Sequence, residues 1–525
     1  MSSESQAERA DSAAPEPARA RIALGAGVLF AVSVAAFSLV AWLEGFGAWP
    51  IALFAAAETR GSLGAISDAA QVIAGLLAIA ITVVAIVIEL AANRYTHRIT
   101  ELFVREPVNI AAACFYVLAT VLCIWISATF DVAAPGPAPL PNAALWVSLV
   151  LATGCLVFLL PYFAYVFAFV SPLAVIRRIR EQGLAAVRAY PERGERSRYE
   201  LLDCVEELAD IGRGALEHSD QTIAMAAIDS LAELLRDYQG LRRDLGGSWF
   251  AISGVLAQDP DFVPMAAPVR AGLERDGAWL EAKVLRRYLA LFSDSLGRAR
   301  GVGTLIAIHT RTLAAGADPA IPLLPWSIRF FNSYLRAAIN ARDQRTAYYV
   351  LDQYQKLAAE LLRRGDAERA VSIAGHLRSY AQLGDAHGQE FLLETVAFDL
   401  SQLIELAVEL ASPALDPLLG VFLEVDRPGD PTPERVERHL RVRRVQVQLG
   451  TFFLAVGDAP RVARIRADLA GERAERLRAI WRDLEAETDA EYWEFTDRGV
   501  NFAYLPPERR ALLGAFFAEF PALRS

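Results

Sequence analysis

Lysine is almost missing from this 525-residue chain: Lys283 and Lys356 are the only two, so arginine supplies the other 50 of 52 basic side chains (52 − 2 = 50). A planar guanidinium fork suits phosphate or lipid recognition, although genome-wide codon bias produces the same composition. Cysteine is scarce as well. Cys114, Cys123, Cys155 and Cys204 form no C-x-x-C pair, and three of them sit inside apolar runs, where cysteine acts as a small hydrophobe. No disulfide framework or zinc site follows. The six histidines are scattered without ligand spacing, and the phosphate loop, the H-E-x-x-H pair and the G-x-S-x-G elbow are all absent. These absences argue against an enzyme and imply no cofactor and no metal. A net charge of −10 without a long basic block excludes a nucleic-acid partner, which would need a basic face to displace counterions.

What the chain has in abundance is apolar sequence, at 54% hydrophobic residues, and it is gathered in four runs: 22–42, 72–88, 110–130 and 143–170. The first has 21 uncharged residues, enough at about 1.5 Å per residue to cross a hydrocarbon core of about 30 Å. Residues 1–20 read as a disordered tail, and 21–170 as a four-helix transmembrane domain that makes the lipid bilayer a partner. Pro161 should kink the last span. Arg94, Arg98 and Arg105 lie between spans two and three, and Arg177, Arg178 and Arg180 follow span four, whereas 131–142 carries no basic residue. By the positive-inside rule both termini face the cytoplasm of a multi-pass protein in the inner (plasma) membrane. Trp42, Trp49, Trp125 and Trp146 fall near the outer ends of the spans, as an interfacial belt would.

The second run carries the most specific pattern. Gln71, Gly75, Ala78, Thr82, Ala85, Glu89 and Asn93 recur at steps of three and four, so small or polar groups form one stripe on a helix that continues beyond the apolar core. Such a stripe serves close helix packing, or it lines a pore in a homo-oligomer, with Glu89 as a carboxylate ring near the inner mouth. Glu89 can also pair with Arg94 or Arg98. His97 reads as an interfacial residue beside those charges.

Residues 171–194 form an amphipathic juxtamembrane segment, with Leu173, Ile176, Ile179 and Leu184 against Arg177, Arg178, Arg180 and Arg188. It either lies on the inner surface or simply connects. From 195 to 525 the pattern is helical throughout, so the fold class is all-α: a four-helix membrane region followed by a large cytoplasmic, irregular solenoid-like helical domain. Asp220-Gln221 with Ala224 and Asp229 is echoed at Asp343-Gln344 with Ala347 and Asp352, an offset of 123 (343 − 220 = 123), and Gly365-Asp366-Ala367 is echoed by Gly457-Asp458-Ala459. The apolar stretch 391–410 is interrupted by Glu394, Asp399, Glu405 and Glu409, which makes it a core helix of that domain. Helix starts are marked at Thr432-Pro433 and Pro506-Pro507-Glu508. Asp203, Glu206, Glu207 and Asp210 read as a solvated face, and the aromatic C-terminal tail as a packed cap.

Two stretches carry a family resemblance. Ile88-Glu89-Leu90-Ala91-Ala92-Asn93-Arg94-Tyr95-Thr96-His97-Arg98, and Asp210 to Leu216 running into Ala224 and Asp229, resemble the hallmark segments of an uncharacterised family of bacterial integral-membrane proteins, domain of unknown function 2254. Glu89 stands where that family usually has glutamine, and His97 where it has proline. The resemblance covers roughly 22–240 and implies a membrane architecture without an assigned reaction. The functional expectation is therefore an oligomeric channel or channel-like protein with the second helix on its axis, or a membrane-anchored scaffold whose helical domain binds a cytoplasmic protein partner.

Overall fold

The computed structural model describes residues 59–94, 100, 103–104, 106–132, 142–316, 323–427, 439–491 and 498–524, and no strand occurs among them. The chain divides into two compact units, 1–178 and 179–525.

In the first unit, α1 (Thr59–Arg94), α2 (Pro107–Val132) and α3 (Asn142–Val170) pack together. Three helices are long and apolar enough to cross a membrane, over Ile66–Ala92, Pro107–Ile126 and Val147–Val170. The tail 1–20 and the expected span 22–42 lie outside the described residues, so three of the four expected spans are seen. The second is longer than its uncharged run of 72–88 suggested, and α1 continues to Arg94. Pro107 opens α2, where its missing N–H costs nothing, and α3 stays helical across Pro161. Ile66, Ala70, Ile73, Tyr116, Ala119, Cys123 and Cys155 form the core. The Tyr116 hydroxyl donates to the Cys155 carbonyl at 2.8 Å, a cross-helix bond of the kind that holds helices together where lipid removes the hydrophobic drive.

The second unit is a succession of helical hairpins. Its first residues belong to α4 (Pro172–Arg188), whose Ile179, Leu184 and Val187 are buried. A Cβ on Gly183 would stand 3.3 Å from Cys204 Cβ, and Arg180 pairs with Glu233. From residue 179 the juxtamembrane segment therefore packs within the helical unit. Next come α5 (Glu195–Glu217), α6 (Gln221–Leu241), α7 (Trp279–Ser295), α8 (Arg300–Gly316), α9 (Leu324–Asn340) and α10 (Gln344–Arg363). They are followed by α11 (Ala367–Ala386), α12 (Phe391–Glu409), α13 (Leu440–Ala455) and α14 (Ala459–Leu469).

The echoes seen in the sequence are turns of one geometry. Ser219, Arg342, Gly365 and Gly457 have φ of 59°, 56°, 79° and 77°, which reverses the chain after α5, α9, α10 and α13. The next residue is aspartate each time. Its N–H returns to the carbonyl five residues back, as in Asp220 to Ala215 at 2.8 Å and Asp343 to Ala338 at 3.0 Å, closing a Schellman motif. Its carboxylate then caps the following helix, with Asp220, Asp343, Asp366 and Asp458 accepting from Ile223, Thr346, Arg369 and Arg461. Glycine relieves the left-handed strain at two of these turns.

Three of the four acids that interrupt 391–410 meet an arginine from later in the chain, and Glu409 is exposed. Glu394 faces Arg441 at 3.2 Å, Asp399 faces Arg498 at 2.7 Å, and Glu405 takes both amino groups of Arg509 at 2.8 and 2.9 Å. The aromatic tail packs as a cap, with Trp481 stacked on Phe517 at 4.9 Å and the Phe516 ring lying over Gly450. Pro507 opens a short helix, Pro507–Arg510, and Thr432-Pro433 lies outside the described residues.

Candidate functional site

On α1 the core face and the polar stripe are separate. Ile66, Ile73, Ala80, Val84 and Ile88 are buried against α2 and α3, whereas Gln71, Gly75, Ala78, Thr82, Ala85 and Glu89 are all exposed on this unit. With 3.6 residues per turn, the two faces centre roughly 150° apart around the helix. A Cβ added to Gly75 would meet nothing within 4 Å. Thr82 turns its hydroxyl back to the Ala78 carbonyl at 2.8 Å, satisfying itself within the helix, whereas Gln71 and Glu89 make no such bond among the described residues. Asn93 and Arg94 end α1, with side chains outside the described set, and His97 and Arg98 lie outside it altogether. Glu89 has no ion-pair partner among the described residues.

Glu89 and Ala85 also border a cavity of about 520 Å³ whose wall includes Ile88, Asn109, Tyr116 and Tyr162. Asn109 is buried there. Its amide nitrogen donates to the Phe103 carbonyl at 2.8 Å, and its oxygen has no hydrogen-bond partner.

The most concentrated chemistry of the helical unit is a cluster that reading the sequence missed. Lys283, on α7, is fully buried, and its ammonium touches Glu206, Asp259 Oδ2 at 2.8 Å and Asp261 Oδ2 at 2.7 Å. Arg286 reaches Asp261 Oδ1 at 2.9 Å, while Arg287 reaches Glu206 Oε2 at 2.9 Å and also pairs with Asp261. Three carboxylates thus meet three cations. Burial by itself would raise the Asp261 carboxyl, but hydrogen bonds from Lys283, Arg286 and Arg287 outweigh it and hold it at about 2. Burial would likewise lower Lys283, and its three carboxylates reverse that, so the ammonium is raised above its ordinary range.

The oxygens of Glu206, Asp259 and Asp261 lie close enough to share one metal ion, yet the Lys283 ammonium already stands among them. The expectation of a solvated face at Asp203, Glu206, Glu207 and Asp210 is corrected for Glu206, because α7 brings a lysine and an arginine onto it. The signal that could have found this was Lys283 itself, a compact ammonium retained in a chain that otherwise uses arginine.

These features define the class: a membrane protein with at least three helices long and apolar enough to span, and a large helical unit. Residues 19–203 match the family described as "Predicted membrane protein (DUF2254)", the family that the sequence resembles. The segment 88–98 falls inside the matched stretch, and the second segment, from Asp210 onward, falls beyond it. No curated protein and no solved structure matches the chain.

Proposed function

We propose that this protein is a homo-oligomeric, channel-like protein of the bacterial inner membrane, with both termini in the cytoplasm and the stripe of α1 facing the symmetry axis. The observation that carries this reading is the position of the stripe. Gln71, Thr82 and Glu89 point away from α2 and α3, and an amide and a carboxylate turned toward acyl chains would be costly. A second copy, or water along an axis, relieves that cost, and Gly75, Ala78 and Ala85 allow the close approach that either arrangement needs. The helical unit then assembles or gates the membrane helices.

The test is ion flux through liposomes containing the intact protein, compared with Glu89→Gln. A change in cation selectivity at equal insertion and equal oligomer size supports the acidic ring. Tight liposomes holding correctly inserted oligomers overturn the channel and leave the membrane-anchored scaffold, a reading favoured by the recurring hairpins of the helical unit, since stacked hairpins present extended surfaces to a protein partner.

A further inference from the structure

The helical unit contains a second cavity, of about 660 Å³, open to solvent and bordered by the starts of α6, α8 and α10. Arg298, Arg300 and Arg345 line it together with Gln221, Thr304 and Tyr349, and no carboxylate is among its described lining residues. In a chain of net charge −10 this is a local excess of positive charge. Several arginines elsewhere in the unit are matched: Arg287 with Glu206, Arg311 with Glu360, Arg461 with Asp416. Arg298 and Arg300 are exposed and take part in no salt bridge among the described residues. Arg345 donates to the Tyr349 hydroxyl at 3.2 Å, which brings that ring beside a guanidinium.

The segment that supplies two of these arginines is Gly297-Arg298-Ala299-Arg300-Gly301-Val302-Gly303-Thr304. Two of its glycines have structural reasons. Gly297 has φ of 72°, and a Cβ on Gly303 would stand 3.0 Å from Thr346 Cγ2. Gly301 has none: a Cβ there would meet only Met225 Sδ, at an ordinary 3.7 Å. Its effect is to leave bare backbone facing the cavity at the first turn of α8, a 17-residue helix with no acidic residue in that turn. Asp343, which borders this segment, spends its oxygens on the N–H groups of Gly297 and Thr346, at 3.0 Å each, and its carboxyl is held below the usual range: burial opposes this, and those N–H groups and Arg300 prevail. The exposed guanidinium forks of Arg298 and Arg300, a bare glycine backbone and a helix start together favour a tetrahedral oxyanion.

From this geometry we infer that the cavity is a binding site for a phosphorylated small molecule with at least two negative charges, in which Arg298 and Arg300 grip phosphoryl oxygens over the Gly301 backbone. Its volume lies within the range of small-molecule sites. Tyr349 offers a ring to a base, so a nucleoside triphosphate and inorganic pyrophosphate are the two sources to separate.

The experiment is calorimetric titration of the full-length protein in detergent with pyrophosphate and, separately, ATP, at fixed salt, beside R298Q/R300Q and a control R275Q on an exposed arginine outside the cavity. Wild type and R275Q are expected to bind. The double variant should bind about a hundredfold more weakly, from the loss of two charge-assisted contacts. Tighter binding of ATP than of pyrophosphate assigns the nucleotide; equal binding assigns the phosphoryl groups alone. Arg298 and Arg300 make no salt bridge among the described residues and Arg300 acts on Asp343 only through its charge, so the double variant should stay folded with at most a small loss in ligand-free melting temperature, and ligand should raise only the wild-type value. Binding of neither probe to wild type, or undiminished binding to a folded double variant, overturns the inference.

Discussion

The membrane unit and the helical unit treat polar side chains in opposite ways. In α1–α3 the core is aliphatic and aromatic with two cysteines, Asn109 and Ser148 are the buried polar residues among those described, and the polar groups of α1 lie on the face turned away from the core. In the helical unit charged groups are found inside as well. Lys283 and Glu281 are fully buried, Glu281 takes Arg242 at 2.8 Å, and Asp426 and Asp468 both take Arg443. The helical unit can do this because partners arrive from several helices at once, so a desolvated charge finds an opposite one held in place. Three long membrane helices offer few such partners, so their polar groups concentrate where another surface or water can meet them. A buried charge in this protein therefore belongs to the architecture, and the exposed polar stripe is the observation on which the proposed assembly rests.

This contrast can be broken most forcefully at Lys283. Lys283→Met leaves Glu206, Asp259 and Asp261 with only Arg286 and Arg287, and should destabilise the helical unit by about 3–5 kcal/mol, the cost of breaking a buried charge set. Denaturant unfolding of the intact protein, followed by tryptophan fluorescence through the buried Trp249 and Trp279, would read it. Lys283→Arg should also destabilise, since a planar fork does not fit a site built around a compact ammonium. An unchanged midpoint in both variants would show the cluster to be dispensable.

A smaller effect concerns acid. The Asp261 carboxyl is held at about 2 against an ordinary value of 3.8, so its folded-state value is depressed. It contributes stability above the ordinary carboxylate value, and that stability is lost as pH falls from near 4 toward 2. Unfolding midpoints measured across that window should fall for wild type and fall less steeply for Asp261→Asn, which starts lower at neutral pH.

Helix caps come next. Replacing Asp220, Asp366 or Asp458 with alanine should each cost about 1 kcal/mol, and Asp343→Ala should cost more than the others, because Asp343 also holds the Gly297 N–H. Equal losses at all four would show that the second bond adds nothing.

The smallest effect on folding belongs to the membrane stripe. Gly75→Leu should leave unfolding of the isolated protomer unchanged, since nothing lies within 4 Å of the added Cβ, while reducing oligomer size in light scattering if the stripe is a contact between copies. A Gly75→Leu protein that assembles normally would remove the stripe from that role.

Much of the architecture was legible in the chain. Three spans were readable because an apolar run of sufficient length has one outcome in lipid, and the turn echoes at Asp220 and Asp343 were readable because a cap is a local feature. The buried acids of 391–410 were recognised as belonging to a core helix, but Arg441, Arg498 and Arg509, their partners, stand too far along the chain for any pattern to connect. Glu206 was misread for the same reason: on its own helix it looks like one acid among four, and only α7 makes it part of a buried set. The arginines at 298 and 300 carried no signal, because in a chain rich in arginine two more are unremarkable until the lining of the cavity they share can be seen.

By itself, the sequence determined what depends on spacing along one chain: the apolar spans, the helical period, the stripe on α1 and the caps that punctuate the hairpins. Tertiary structure alone decided which charges are matched and which are not. Matching is a matter of distance in space, and folding brings together residues such as Glu206 and Lys283, 77 positions apart, while placing Arg298 and Arg300 on a cavity with no carboxylate among its described lining residues.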